Sequence, residues 1–151
     1  MQKLVKIVGA FIAAVVTASI LASIFSTQFV IAALQNIGVA IPLGTRLSMT
    51  VDDLNILQTL LAVVGACFLV GFIIAGLAQR KLGGNRKIWY LVAGGSALLA
   101  TLILMNTILQ LMPIAGARTI AGLLMQGVAG AVGGWVFAWL SKPKPRRSRY
   151  A

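Results

Sequence analysis

Residues 7–34 read IVGAFIAAVVTASILASIFSTQFVIAAL, a stretch without a charged residue. Three later stretches have the same character: Leu54–Gln79, Ile88–Met112 and Thr119–Ser141. A helix needs about 20 predominantly apolar residues to cross the hydrocarbon core of a bilayer, and each stretch exceeds that length. A helix also satisfies its own backbone hydrogen bonds in lipid, where no water can do so. The sequence therefore predicts an all-α integral membrane protein with four membrane-spanning helices.

Charged residues flank these stretches, and most of them fall on one predicted side of the membrane. Eleven of the 13 lysines and arginines lie before the first stretch, between the second and third, or after the fourth. They are Lys3, Lys6, Arg80, Lys81, Arg86, Lys87, Lys142, Lys144, Arg146, Arg147 and Arg149. Cytoplasmic segments of membrane proteins carry such an excess of Lys and Arg. The pattern predicts an up-down four-helix transmembrane bundle with both termini cytoplasmic, in a bacterial cytoplasmic (inner) membrane.

The predicted domain organisation is one transmembrane domain followed by a short tail. Residues 1–141 form the domain, with helices at about 7–34, 54–79, 88–112 and 119–141. Residues 142–151 form a basic cytoplasmic tail, and its prolines predict disorder. The net charge of +11 does not indicate nucleic-acid binding, because the positive-inside rule already explains where the cations lie. We expect the basic segments to attract anionic lipid headgroups instead, at about 1 kcal/mol per basic residue.

Small residues recur every four positions in the predicted helices, so each set lies on one helix face. In lipid, helices associate where small side chains let the backbones approach closely. The clearest sets are in the first and fourth stretches: Ala14, Ala18, Ala22, Gly122, Gly130 and Gly134. Two interpretations are open. These faces pack the four helices within one chain, or they form the interface of a homo-oligomer.

Three amide side chains are candidates for polar contacts within the membrane: Asn106, Gln110 and Gln126. Gln126 lies among the glycines of the fourth stretch, so we expect it to face a neighbouring helix, where a buried amide requires hydrogen-bond partners. The candidate hydroxyl partners are Thr17, Ser19, Ser96 and Thr101. Asn106 and Gln110 share a face near the outer end of the third stretch. The expected role of all three amides is hydrogen bonding between helices, and contact with a solute is the alternative.

The predicted outer side carries only four charged residues: Arg46, Asp52, Asp53 and Arg118. Arg118 directly precedes the fourth stretch, where the positive end of the helix dipole disfavours a cation. We therefore expect an ion pair between Arg118 and Asp52 or Asp53, which would join the two outer segments. The alternative is an anion site, in which Arg46 and Arg118 flank a ligand near a helix N-terminus.

Residues that carry chemistry are scarce. The sequence has no histidine, no glutamate and a single cysteine, Cys67. It therefore offers no cluster of metal ligands, no nucleophile beside a base, and no acidic or basic side chain within a predicted span. We expect no cofactor, no metal site, no catalytic residue and no enzymatic activity.

The sequence favours a small structural or accessory membrane protein that assembles through small-residue helix faces, as a homo-oligomer or within a larger membrane complex. The alternative is a small transporter or channel for an apolar, neutral or anionic solute, with its outer mouth near Arg46 and Arg118. A water-filled cavity that reaches Gln126 would favour transport. A dry core with an exposed face of small residues would favour assembly.

Overall fold

The computed structural model describes residues 2–38, 42, 44–45, 47–49, 51, 57–109 and 119–142, and for residues 57–60 and 109 it describes the backbone alone. Within these residues the chain forms four long α-helices. They are α1 (Gln2–Asn36), α2 (Leu57–Leu82), α3 (Arg86–Leu109) and α4 (Ile120–Leu140). All four are long and apolar enough to cross a membrane. This confirms the predicted all-helical chain with four candidate membrane spans.

Three helices extend further into charged sequence than the apolar stretches predict. α1 begins at Gln2 rather than at Ile7, α2 continues past Gln79 to Leu82, and α3 begins at Arg86 rather than at Ile88. Lysine and arginine are good helix formers, so a helix need not end where its apolar run ends. In the last turn of α2, Arg80 and Lys81 also complement the negative end of the helix dipole.

Glycine ends α2, and an asparagine caps the start of α3. Gly83 and Gly84 have φ angles of 71° and 90°, which glycine adopts without steric cost. The Gly83 N–H donates to the Gln79 carbonyl at 3.0 Å, as in a helix C-cap. The Asn85 side-chain oxygen accepts from the Lys87 N–H at 3.0 Å and so caps the start of α3. The two helices are thereby joined by a tight connection.

α4 occupies the centre of the helix packing. It makes extensive contact with both α3 and α1, whereas α2 makes smaller contacts with the same two helices. The Thr119 hydroxyl caps the start of α4 by accepting from the Gly122 N–H at 3.0 Å. α4 also has the largest share of buried residues among the four candidate spans.

An aromatic cluster fills the space between α2 and the other helices. The rings of Phe72 and Phe137 stack with centroids 4.5 Å apart. Tyr90 and Phe11 meet Phe72 edge-on, at centroid distances of 5.5 and 6.2 Å. Offset and edge-on arrangements of this kind are favourable for aromatic pairs. Large rings therefore contribute much of the packing of α2, whereas small residues dominate the contacts of α4 with α1 and α3.

The surface that the described bundle presents to its surroundings along the helices is apolar. Large aliphatic side chains on every helix point outward and are more than one-third exposed, among them Ile12, Ile73, Ile74, Leu104 and Leu124. Soluble proteins seldom expose such continuous apolar surface. In a bilayer the same side chains face lipid.

Candidate functional site

The two glycine-containing faces of α3 and α4 bring the backbones of these helices into contact. A Cβ added at Gly94 would overlap the carbonyl oxygen of Gly130, and one added at Gly130 would overlap that of Gly94. A Cβ added at Gly134 would overlap the carbonyl oxygen of Tyr90. These neighbours are backbone atoms, which cannot move aside as the end of a side chain can. Only glycine therefore permits this separation of α3 and α4.

Alanine faces glycine in the contact between α1 and α4. Ala14, Ala18 and Ala22 are each 0 % exposed. A Cβ added at Gly133 would lie 2.8 Å from the Ala18 Cβ and 2.7 Å from Cε2 of Phe68. These short separations leave no room for a larger residue on either helix.

Every residue of the predicted packing faces is buried inside the single chain. They are Ala14, Ala18, Ala22, Gly122, Gly130 and Gly134. The sequence left two interpretations open, and this burial agrees with packing of the helices within one chain. The same residues are thereby covered and do not form a surface for a second copy.

Gly94 and Gly95 supply the α3 side of this contact and were not among the predicted packing residues. A Cβ added at Gly95 would lie 3.1 Å from the Gly127 carbonyl oxygen. The sequence does contain a signal for the packing role of these two glycines. Each glycine inside a helix costs roughly 1 kcal/mol relative to alanine, so an adjacent pair in mid-helix indicates close packing. The pair Gly133–Gly134 carries the same signal in α4.

Gln126 is 0 % exposed and joins α4 to α1. Its side-chain Nε2 donates to the backbone carbonyl of Ala22 at 3.0 Å. The acceptor is therefore a carbonyl rather than one of the expected hydroxyl groups. Small residues make this bond available, because the close approach of the two helices exposes a carbonyl that larger side chains would cover.

None of the hydroxyl groups predicted as partners of Gln126 bonds to it in the described part of the chain. Thr17 and Thr101 donate to carbonyls of their own helices, those of Ala13 at 2.7 Å and Ala97 at 2.8 Å. Ser96 is exposed and donates to a carbonyl one turn earlier in α3. Short hydroxyl side chains in helices commonly bond the preceding turn in this way.

The buried face of α1 carries two serines as well as Ala22. Ser19 Oγ, Ser23 Oγ and Gln126 Oε1 are buried and have no hydrogen-bond partner among the residues that the structure describes. Ser19 and Ser23 lie four residues apart on α1 and flank Ala22, whose carbonyl binds Gln126. An unsatisfied buried polar group costs about 1–3 kcal/mol. We call Ser19, Ser23 and Gln126 the polar cluster.

The remaining predicted site residues are not brought together. Asn106 is exposed on α3, and the hydrogen bond between helices expected of it is not seen among the described residues. Its position within the last turn of α3 places it away from the close contacts with α4. The other predicted residues lie outside the described part of the chain: Arg46, Asp52, Asp53, Gln110 and Arg118. The outer ion pair and the anion site therefore stay predictions.

Basic side chains tie helix ends together, a feature that spacing in the sequence did not indicate. The Arg86 guanidinium donates to the carbonyl and to the hydroxyl of Ser141, both at 2.8 Å. It also lies 5.2 Å from the centre of the Tyr90 ring. Lys6 Nζ donates to the Lys142 carbonyl at 3.2 Å. Cations here meet the negative C-terminal end of α4 and satisfy carbonyls that the helix leaves unpaired.

Two open grooves run along the surface of the described bundle, one on each side of α2. The groove between α2 and α3 has a volume of about 690 Å³ and is lined largely by small residues. They include Ala66, Gly71, Ala93, Ser96, Ala97 and Ala100. The groove between α1 and α2 has a volume of about 520 Å³ and is lined by larger, partly aromatic side chains. Gln126 lines neither groove.

Comparisons of this chain with models of protein families, with curated proteins and with solved structures found no match. Function must therefore be inferred from the residues described above.

Proposed function

We propose that this chain is a small structural or accessory protein of the bacterial cytoplasmic membrane, which binds a second copy through the groove between α2 and α3. The observation that carries the proposal is the exposure of small side chains in that groove. Ala66, Ser96 and Ala100 are exposed at the chain surface. In lipid, an exposed small residue offers a neighbouring helix a place to approach closely.

The shape of the groove fits a helix. Its floor is the contact between Gly71 and Ala97, where a Cβ added at Gly71 would lie 2.8 Å from the Ala97 Cβ. Its walls carry larger exposed side chains, including Val70, Ile74 and Leu104. A second copy is the proposed occupant, because a two-fold axis along the groove would bring the same small residues of both chains together.

The proposed orientation is an up-down bundle with both termini in the cytoplasm. It is supported by the hydrogen bonds of Lys6 and Arg86, which connect the starts of α1 and α3 to the end of α4. The short glycine connection brings the end of α2 to the start of α3. Trp139, near the same end of α4, is half exposed, as is typical of aromatic residues at a membrane–water interface. The basic residues at this end then face the cytoplasm.

The buried state of Gln126 favours assembly over transport. Its amide is fully buried against the Ala22 carbonyl and does not line either groove. A solute path would need polar groups that an aqueous or solute-filled space can reach. The observation that favours the alternative, transport, is the polar cluster, since its oxygens have unused hydrogen-bonding capacity.

Disulfide cross-linking in native membranes tests the proposed assembly. Cys67 is the only cysteine, so Cys67→Ala gives a background without thiols. In that background, Ser96→Cys in the groove should form a disulfide-linked dimer under mild oxidation, because both copies would present this position to each other. Val128→Cys is the matched control, since Val128 is exposed on α4 beside the residue that meets Gly95.

The control position should give little dimer at the same protein density. Equal cross-linking at both positions would indicate random collisions in the membrane and would overturn the proposed interface. A bulky residue at the groove, Ala100→Phe, should abolish the dimer formed through Ser96→Cys while leaving the helical content unchanged.

A further inference from the structure

The groove between α1 and α2 combines an aromatic floor with a cation at its rim. Phe11, Phe72 and Tyr90 line the groove, and Arg80 lies at one end of it. Gly76, one turn before Arg80, leaves room for the Tyr90 side chain, since a Cβ added at Gly76 would lie 3.2 Å from the Tyr90 hydroxyl oxygen. The groove therefore offers an apolar wall, a phenolic hydroxyl and a guanidinium within about one helical turn of each other.

Unlike Arg86 and Lys6, Arg80 has no hydrogen-bond partner among the residues that the structure describes. Arg86 and Lys6 donate to carbonyls at the end of α4. Arg80 is exposed, and the described residues contain no acidic side chain that could pair with it. The only acids in the chain, Asp52 and Asp53, precede α2 in sequence, whereas Arg80 lies in its last turn. Among the described residues nothing balances the charge of Arg80, and its guanidinium is available to an anion.

The dimensions of the groove match one leaflet of a bilayer. Along α2 the lining extends from Leu69 to Arg80. At 1.5 Å per residue this is about 16 Å. The hydrocarbon core of a bilayer is about 30 Å thick, so the groove covers roughly half of it. A ligand with a negative headgroup and an acyl chain fits both its length and its polarity.

We propose that this groove binds one anionic phospholipid of the cytoplasmic leaflet. Its phosphate contacts Arg80 and the Tyr90 hydroxyl, and one acyl chain lies along Phe11 and Phe72. Arg is well suited to this contact, because its guanidinium can donate two hydrogen bonds to one phosphate group. The inference rests on the proposed membrane orientation but not on the contact between two copies through α2 and α3.

Lipid retention measured by native mass spectrometry tests the site. The purified full chain is exposed to equal amounts of dioleoyl phosphatidylglycerol and dioleoyl phosphatidylcholine, which share their acyl chains and differ in headgroup charge. We expect the wild-type chain to retain one phosphatidylglycerol in preference to phosphatidylcholine. Arg80→Gln should reduce that preference roughly tenfold, as loss of a charged hydrogen bond does.

Lys81→Gln is the matched control, because Lys81 is exposed in the same helical turn but does not line the groove. It removes the same charge and should change the preference by less than about twofold, since a charge without direct contact is screened. Ile73→Trp places a large ring in the groove at an exposed position and should lower retention of both lipids. Circular dichroism of each variant should match the wild-type chain.

Equal effects of Arg80→Gln and Lys81→Gln would overturn the inference, because they would indicate general attraction of anionic headgroups to a basic surface. Equal retention of the two lipids by the wild-type chain would also overturn it and would indicate an apolar occupant such as a partner helix. The two proposals fail separately. Loss of the lipid preference with an intact cross-link at Ser96→Cys contradicts the lipid site alone, and the reverse contradicts the assembly alone.

Discussion

A single amide, Gln126, crosses the apolar interior between α4 and α1. Its Nε2 has an acceptor in the Ala22 carbonyl, while its Oε1 has no partner among the described residues. The hydrogen bond stabilises the contact, and the unsatisfied oxygen opposes that gain. Hydrogen bonds between membrane helices contribute about 0.6–2 kcal/mol, which is similar to the cost of one unsatisfied buried polar group.

Replacement of Gln126 by leucine should therefore change the free energy of unfolding by less than about 1 kcal/mol. The two side chains have similar size, and the change removes the favourable bond and the unsatisfied oxygen together. Unfolding in mixed detergent, followed by circular dichroism, measures the difference against the wild-type chain. A loss of several kcal/mol would contradict this balance and would mean that the Gln126 Oε1 has a hydrogen-bond partner, so that the side chain stabilises the contact between α4 and α1.

The sequence located Gln126 at a helix interface but did not identify its acceptor. Four-residue spacing indicates which face a residue occupies, and it does so for Gln126 and the glycines around it. The spacing contains no information about which backbone carbonyl a neighbouring helix leaves uncovered. The hydroxyls of Thr17 and Thr101 were poor candidates for a physical reason, because their own helices offer a nearer carbonyl.

α3 and α4 form the tightest pair of elements, and their contact depends on glycine. The Gly94–Gly130 pair and the Gly134–Tyr90 contact join backbone to backbone. Glycine is costly in a free helix, so this pair of helices gains its stability from packing rather than from helix propensity. α2 combines a small-residue contact between Gly71 and Ala97 with the packing of its rings Phe68 and Phe72 against Phe137 of α4.

A single added methyl group should show whether packing or helix propensity stabilises the pair of α3 and α4. Gly134→Ala raises helix propensity but forces a Cβ against the Tyr90 carbonyl, so we expect the free energy of unfolding to fall by about 1–3 kcal/mol. Gly130→Leu should cost more, because a larger side chain meets Gly94 and Leu98.

Gly9→Ala is the matched control for these variants. Gly9 lies within α1 and has no atom within 4 Å of an added Cβ, so alanine should stabilise the chain by up to about 1 kcal/mol. The same thermal or detergent unfolding assay applies to all three. A Gly134→Ala variant as stable as the Gly9→Ala variant would show that α3 and α4 do not meet as described.

Periodicity predicted the helices and the buried faces of α1 and α4, because apolar length and small-residue spacing follow directly from helix geometry. It did not reveal Gly94 and Gly95, although an adjacent glycine pair was visible in the sequence. It also gave no indication of the bonds between Arg86 and Ser141. Contacts between residues so distant in sequence depend on how complete helices pack, which local patterns do not encode.

Across the bundle that the structure describes, charge and apolar surface have separate places. Exposed aliphatic side chains cover the helices, and the described cations lie at helix ends, where Lys6 and Arg86 hydrogen-bond to the end of α4. This arrangement suits a bilayer with one strongly basic side. The groove between α2 and α3, proposed for assembly, and the groove between α1 and α2, proposed for lipid, flank α2 on opposite sides. One chain therefore has room for both proposed partners. Both proposals require the four helices to span the membrane with the basic end in the cytoplasm.

A topology measurement in living bacteria tests that requirement most directly. A fluorescent protein fused after Ala151 should fold and fluoresce, because the predicted C-terminus is cytoplasmic. Alkaline phosphatase inserted after Gly44 should be active, because it folds only outside the cytoplasm and this segment lies between α1 and α2. A fluorescent protein at Gly44 and alkaline phosphatase after Ala151 should both be inactive. The opposite pattern at both positions would contradict the four-span bundle with its basic end inside.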